Sequence, residues 1–110
     1  MGFDKDNLIK SYEHVGIRVS DRKIATEFYE KLGFVEAHDV PEANANEMVN
    51  KNGVYINLIF NGIATSKNVL QDIPIKDCGI THVAFVTENI EALISHFEAN
   101  DIKITEGPII

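Results

Sequence analysis

Residues Tyr12 to Val19 alternate, with Val15, Ile17 and Val19 on one side and His14, Gly16 and Arg18 on the other. A period of two predicts a strand with one apolar face and one polar face. Ser20-Asp21 follows and offers side-chain oxygens to the free amides of a helix start. Ile24, Ala25, Phe28, Tyr29 and Leu32 then recur at helical spacing, which predicts a helix with this stripe toward the sheet. Gly33 suits the left-handed position just past its end. Phe34 to His38 reads as a second strand and Pro41 to Asn46 as a loop. Glu47 to Asn50 and Val54 to Phe60 flank Lys51-Asn52-Gly53, a hairpin signal in which both turn positions tolerate positive φ.

Asn61 to Gly79 is polar and irregular and joins two halves. Ile80 to Thr87 reads as a strand. Glu88-Asn89 caps a helix carrying Ile90, Leu93, Ile94 and Phe97, and Asn100-Asp101 ends it. Ile102 to Thr105 reads as a further strand, and Gly107-Pro108 as a turn.

The two halves are copies. His14-Val-Gly-Ile-Arg18 and His82-Val-Ala-Phe-Val86 lie 68 positions apart. At that same offset Gly16 pairs with Ala84, Ile17 with Phe85, Tyr29 with Phe97 and Phe34 with Ile102. An internal repeat sets the architecture. The expectation is one α+β domain over residues 1–110. Its first unit is a β-α-β-β-β repeat over 11–61, and its second is a partial β-α-β copy over 80–110, both with antiparallel-rich curved sheets. The duplication also puts one histidine at the same place in each copy.

Composition narrows the class. Hydrophobic residues make up 45% and charged residues 25%, as in a globular protein. Ten basic against seventeen acidic residues leave a net charge of -7. That balance disfavours nucleic acid and anionic membranes and mildly favours a cationic ligand, but solubility explains it better. No apolar run approaches the ~20 residues of a membrane span, so the expected location is the cytoplasm. Cys78 is alone. It excludes a disulfide framework and reads as a buried small residue.

On these segments the chain resembles the vicinal oxygen chelate superfamily, which includes glyoxalase I, bleomycin resistance proteins, fosfomycin resistance enzymes and extradiol dioxygenases. The resemblance rests on His14-Val-Gly-Ile-Arg-Val-Ser-Asp21, Phe28-Tyr29 with Leu32-Gly33-Phe34, Ile56-Asn-Leu-Ile-Phe-Asn61, Gly79-Ile-Thr-His-Val-Ala84 and Glu106-Gly-Pro108. It implies two units forming a shared cup that takes a small molecule. It also implies a homodimer, with strand exchange between chains as one arrangement. His14 and His82 match the first and third metal ligands of the family, for a divalent ion such as zinc, nickel, iron or manganese. The second ligand, usually Glu, is replaced by Asn57. A neutral amide oxygen cannot offset the charge of a metal. The fourth, usually Glu on a final strand, has no match up to Ile110. Arg18 and Asn61 match positions that contact the glutathione carboxylate and backbone in glyoxalase I.

Two small-molecule functions therefore stand side by side, next to a third reading as an assembly or regulatory module with no small ligand. One is a metal-dependent lyase, isomerase or dioxygenase relative. The other is a metal-free protein that sequesters a ligand, as the bleomycin resistance branch does. Glyoxalase I chemistry needs a metal and a carboxylate base, and this sequence offers neither at the matching positions. The expected ligand-binding residues are Arg18, Asn57 and Asn61, with His14 and His82 as metal candidates. No catalytic residue is assigned. Phe28, Tyr29 and Phe97 are expected in the core, and Phe60 on the same face as Ile56 and Leu58.

Overall fold

A computed structural model of the protein describes residues 4–64 and 67–107. The chain divides into two compact units, Met1–Cys78 and Gly79–Ile110.

The first unit carries β1 (Val15–Arg18), α1 (Arg22–Lys31), β2 (Val35–Val40), β3 (Ala45–Val49) and β4 (Tyr55–Ile59). They form a four-stranded sheet of order β1-β4-β3-β2. β1 runs parallel to β4, and the other two pairings are antiparallel. The class is α+β, as the alternation predicted. The strand of residues 12–19 is shorter than expected, and His14 precedes it. The expected loop over 41–46 is a short 3-10 turn, Pro41–Ala43, and β3 already includes Ala45 and Asn46. Asn44 supplies the left-handed residue that lets the chain reverse so tightly. The β3–β4 hairpin falls where Lys51-Asn52-Gly53 placed it. Only Gly53 of that loop has positive φ, and Asn50 Oδ1 accepts from the amides of Asn52 and Val54 instead.

The core lies between α1 and one face of the sheet. Phe34, Met48, Ile56 and Leu58 are buried, and Ile17, Val19, Ala25, Tyr29, Leu32 and Phe60 pack against them. Tyr29 meets Phe34 edge to face, with ring centroids 6.0 Å apart. Partial burial raises the pKa of the Tyr29 phenol, because the charged form loses hydration. Two residues of the expected stripe stay out of this core. Ile24 is 68% exposed and Phe28 40%. A ten-residue helix rotates one face onto the sheet, and Ala25, Tyr29 and Leu32 take it.

A polar cluster fixes the N-terminal end of α1. Arg22 bonds Glu36 Oε1 at 2.5 Å and Asp39 Oδ1 at 3.0 Å, with its guanidinium 4.8 Å from the centre of the Phe60 ring. The hydrogen bond to Asp39 does most to raise the Arg22 pKa. Glu36 Oε1 also accepts from Nδ2 of Asn46, at 2.9 Å. Asn46 is 1% exposed, so β3 carries a buried amide where a loop residue was expected.

In the second unit, α2 spans Ile90–Ala99, the same ten positions as α1 at the 68-residue offset. The helix ends also repeat. Asp21 accepts from Ile24 N, and Asn89 from Ala92 N. Phe34 N donates to Tyr29 O at 3.1 Å, and Ile102 N to Phe97 O at 2.9 Å. Gly33 and Asp101 both take positive φ. The duplication is thus written in the hydrogen bonds at the helix ends.

The strands of the second copy do not form. Residues 80–87 and 102–105 have no strand pairing, contrary to the alternation. In the first unit β1 pairs only with β4 and β2 only with β3. No stretch of 79–107 corresponds to β3 or β4, so the two segments have no strand partner among the described residues of their unit. Ile80 and Val86 are exposed. Cys78 is exposed as well, not buried as expected. Gly107 lies at positive φ, while Pro108, expected in a turn with it, is outside the described residues.

Leu58 is 0% exposed at the centre of the core, and Val86 is 98% exposed. Leu58→Ala is expected to cost about 2–5 kcal/mol in urea unfolding, from lost burial plus the cavity left behind. Val86→Ala is expected to stay within about 0.5 kcal/mol of the wild type.

Candidate functional site

Alternation along the strands gives the sheet a second face, opposite α1. The pairing places Gly16, Asn57, Glu47 and His38 in one line across all four strands. Adjacent members of such a line have Cβ atoms about 5 Å apart where both have one. Gly16 has none, which leaves room beside Asn57. Asn57 and Glu47 are half-buried, and His38 is exposed on β2. Asn57 Oδ1 is buried without a hydrogen-bond partner. Glu47 makes no side-chain bond among the described residues.

Arg18, at the end of β1, belongs to this face, since Ile17 and Val19 on either side pack into the core. Its Nε donates to Asn61 Oδ1 at 2.9 Å. The parallel β1–β4 ladder continues past the last strand residue and holds the pair in register. Val19 N donates to Ile59 O at 2.7 Å, and Gly62 N to Val19 O at 2.9 Å. A Cβ on Gly62 would lie 2.8 Å from Val19 O and 3.1 Å from Arg18 Cγ, so only glycine admits this approach. Arg18 has no carboxylate partner among the described residues, and its two terminal nitrogens are unengaged there.

The structure therefore brings Arg18 and Asn61 together and puts Asn57 on the same face. The histidines are different. His14 belongs to the first unit and His82 to the second. His14 Nδ1 lies 3.1 Å from Glu13 Oε1, and His82 Nδ1 lies 2.7 Å from Thr81 Oγ1. Each ring is engaged by its own sequence neighbour. No group of three or more His, Cys, Asp or Glu side chains among the described residues could hold a metal ion. His14 and His82 fall in different units, and Asn57 offers a neutral oxygen, which cannot offset the charge of a divalent cation.

An open cleft of about 400 Å³ flanks the turn from β1 into α1. Ile24 and Phe28 of α1 line one part and Ile63 and Ala64 another, with Arg18 and Asp21 at the turn. Sequence reading missed it because it assigned Ile24 and Phe28 to the core. The signal was their offset from the Ala25–Tyr29–Leu32 stripe.

Comparison with known proteins agrees with this architecture. The model of the Glyoxalase/Bleomycin resistance protein/Dioxygenase superfamily matches residues 11–109. The chain belongs to this superfamily. A member of it would be expected to show the β-α-β-β-β arrangement and the repeat described above, and this chain does so fully in its first unit. Among solved structures, the chain is similar to SMU.1112c, with 26% identity and a TM-score of 0.63, over 84% of this chain and 76% of that one. It also resembles VPC_CASS1 from the mobile metagenome of V. Pseudocholerae, with 22% identity and a TM-score of 0.65, over 92% of this chain and 74% of that one. The second likeness speaks to the fold alone. No curated protein matches. Superfamily membership is compatible with many chemistries and selects none. Among the described residues no helix is long and apolar enough to cross a membrane.

The close approach at Gly62 yields a direct check. Gly62→Ala must push Val19 or Arg18 aside, and is expected to destabilise the protein by about 1–3 kcal/mol in chemical unfolding.

Proposed function

We propose that this superfamily member binds a small molecule through the sheet face opposite α1, without a resident metal, with Arg18 as the anchor for an anionic group. The observation that carries this reading is the Arg18–Asn61 pair. Asn61 holds Nε and so orients the guanidinium, while no carboxylate occupies its remaining donors among the described residues. A planar fork with two free donors matches the two oxygens of a carboxylate or phosphate. Asn57, Asn61 and Glu47 add polar selectivity on the same face.

Arg18→Ala removes one exposed hydrogen bond and is expected to lower stability by no more than about 1.5 kcal/mol. It is expected to abolish ligand-induced stabilisation. Thermal shifts of wild type and variant, with a panel of glutathione conjugates and cationic antibiotics, check both halves. A variant that keeps its full ligand response sinks Arg18 as the anchor.

The metal-dependent lyase, isomerase or dioxygenase reading draws on one observation. Glu47 is the cross-strand partner of Asn57, so a carboxylate stands one strand away from the position where relatives carry their Glu. Elemental analysis after purification without added metal is expected to find substoichiometric zinc, nickel, iron and manganese. A stoichiometric ion that Glu47→Gln removes would reverse the choice between the two readings.

A homodimer is part of the proposal. Among the described residues β1 and β2 are the edges of the sheet, and residues 80–87 pair with no strand and leave Ile80 and Val86 exposed. Such edges are commonly covered by another chain. Light scattering is expected to give twice the chain mass, and a monomer at high concentration would refute pairing between copies.

A further inference from the structure

We infer that the ligand is a monocarboxylate with an apolar tail, the carboxylate on Arg18 at the end of the edge strand β1 and the tail passing round that edge into the cleft beside the β1–α1 turn. This rests on the reading of Arg18 given above and adds a chemical class to it.

Four observations converge. Ile24 and Phe28 line the cleft from α1 yet remain largely outside the core, at 68% and 40% exposure. Ile63 lines it from the segment after β4 and is 86% exposed. Large apolar side chains gathered around a concavity are the usual lining of a small-molecule site, whereas scattered ones need no explanation. The same cleft includes Arg18, the one cationic residue of its lining, with Nε held by Asn61. Asp21 also belongs to the lining, with Oδ1 accepting from the Ile24 amide as the cap of α1. Its charge disfavours a second anionic group on the ligand. The combination selects one negative charge followed by hydrocarbon. A hydrocarbon of several carbons fits within about 400 Å³.

The test uses the full chain and a series of linear carboxylates, from acetate to octanoate, titrated calorimetrically. Affinity is expected to rise roughly fourfold per added methylene until the cleft is filled, the value for burying one such group. Arg18→Ala is expected to weaken every member of the series. Ile24→Ser and Ile63→Ser change exposed positions and so preserve folding, which circular dichroism verifies. They are expected to flatten the dependence on length while leaving acetate unchanged. Octanol, octylammonium and octanedioate are expected to bind at least tenfold more weakly than octanoate.

Affinity that does not vary with tail length overturns the inference, as does octanol or octylammonium binding as well as octanoate. If no carboxylate binds while another ligand stabilises the protein through Arg18, the class named here falls and the reading of Arg18 stands. If Arg18→Ala leaves all binding intact, both fall together.

Discussion

A strand cannot form alone, and this constraint decides what each half of the chain becomes. The backbone donors and acceptors of a strand must be met by a neighbouring strand. In the first unit β4 meets two neighbours at once, β1 in parallel and β3 antiparallel, so the hairpin that ends in β4 is what lets β1 exist as a strand. The second copy has a comparable β1-like sequence but nothing in residues 79–107 that plays the part of β4. A helix closes its own hydrogen bonds over four residues. α2 accordingly forms at the same ten positions as α1, with the same caps, while the segments on either side of it stay unpaired.

The junction between helix and sheet in the first unit is held by polar contacts as well as by the core. Arg22 spans Glu36 and Asp39 and lies over Phe60, while Asn46 reaches Glu36 from within the sheet. The arrangement reconciles two demands. The irregular pairing between Glu36 and His38 turns acidic side chains toward α1, and the cation on the first turn of the helix receives them. Part of the cluster is solvent-exposed, so its value lies more in fixing the orientation of α1 than in raw stability. That orientation leaves Ile24 and Phe28 facing outward along the cleft.

The local features were legible in the sequence, and the long-range ones only in part. Both helices, their caps and the left-handed position after the first follow from spacing and from Asp21, Gly33 and Asn89. The face of Ile56, Leu58 and Phe60 follows from alternation. Alternation also predicted strands at Ile80–Thr87 and Ile102–Thr105, because pattern records which side chains could be buried and not whether a partner is present. Asn46 was misplaced because Asn44-Ala45-Asn46 has the composition of a loop, although the period of two running back from Met48 marked it as part of β3. Ile24 and Phe28 were assigned to the core because a stripe of five apolar positions is wider than the sheet could cover. At the candidate site, the nearness of Arg18 and Asn61 was readable through the family resemblance. The requirement for Gly62 was not, since it arises from the path of the backbone past Val19.

The sheet order also bears on how the chain folds as it is made. Every strand and the one helix of the first unit lie before Phe60, and the longest-range pairing, β1 with β4, closes at that point. Domains commonly fold as units during synthesis, N-terminal first. The first unit can therefore complete its hydrogen-bonded framework while the second is still within the ribosome. The copy made first then closes its sheet before the related segment emerges, and the internal repeat lowers a misfolding hazard through the order of its synthesis.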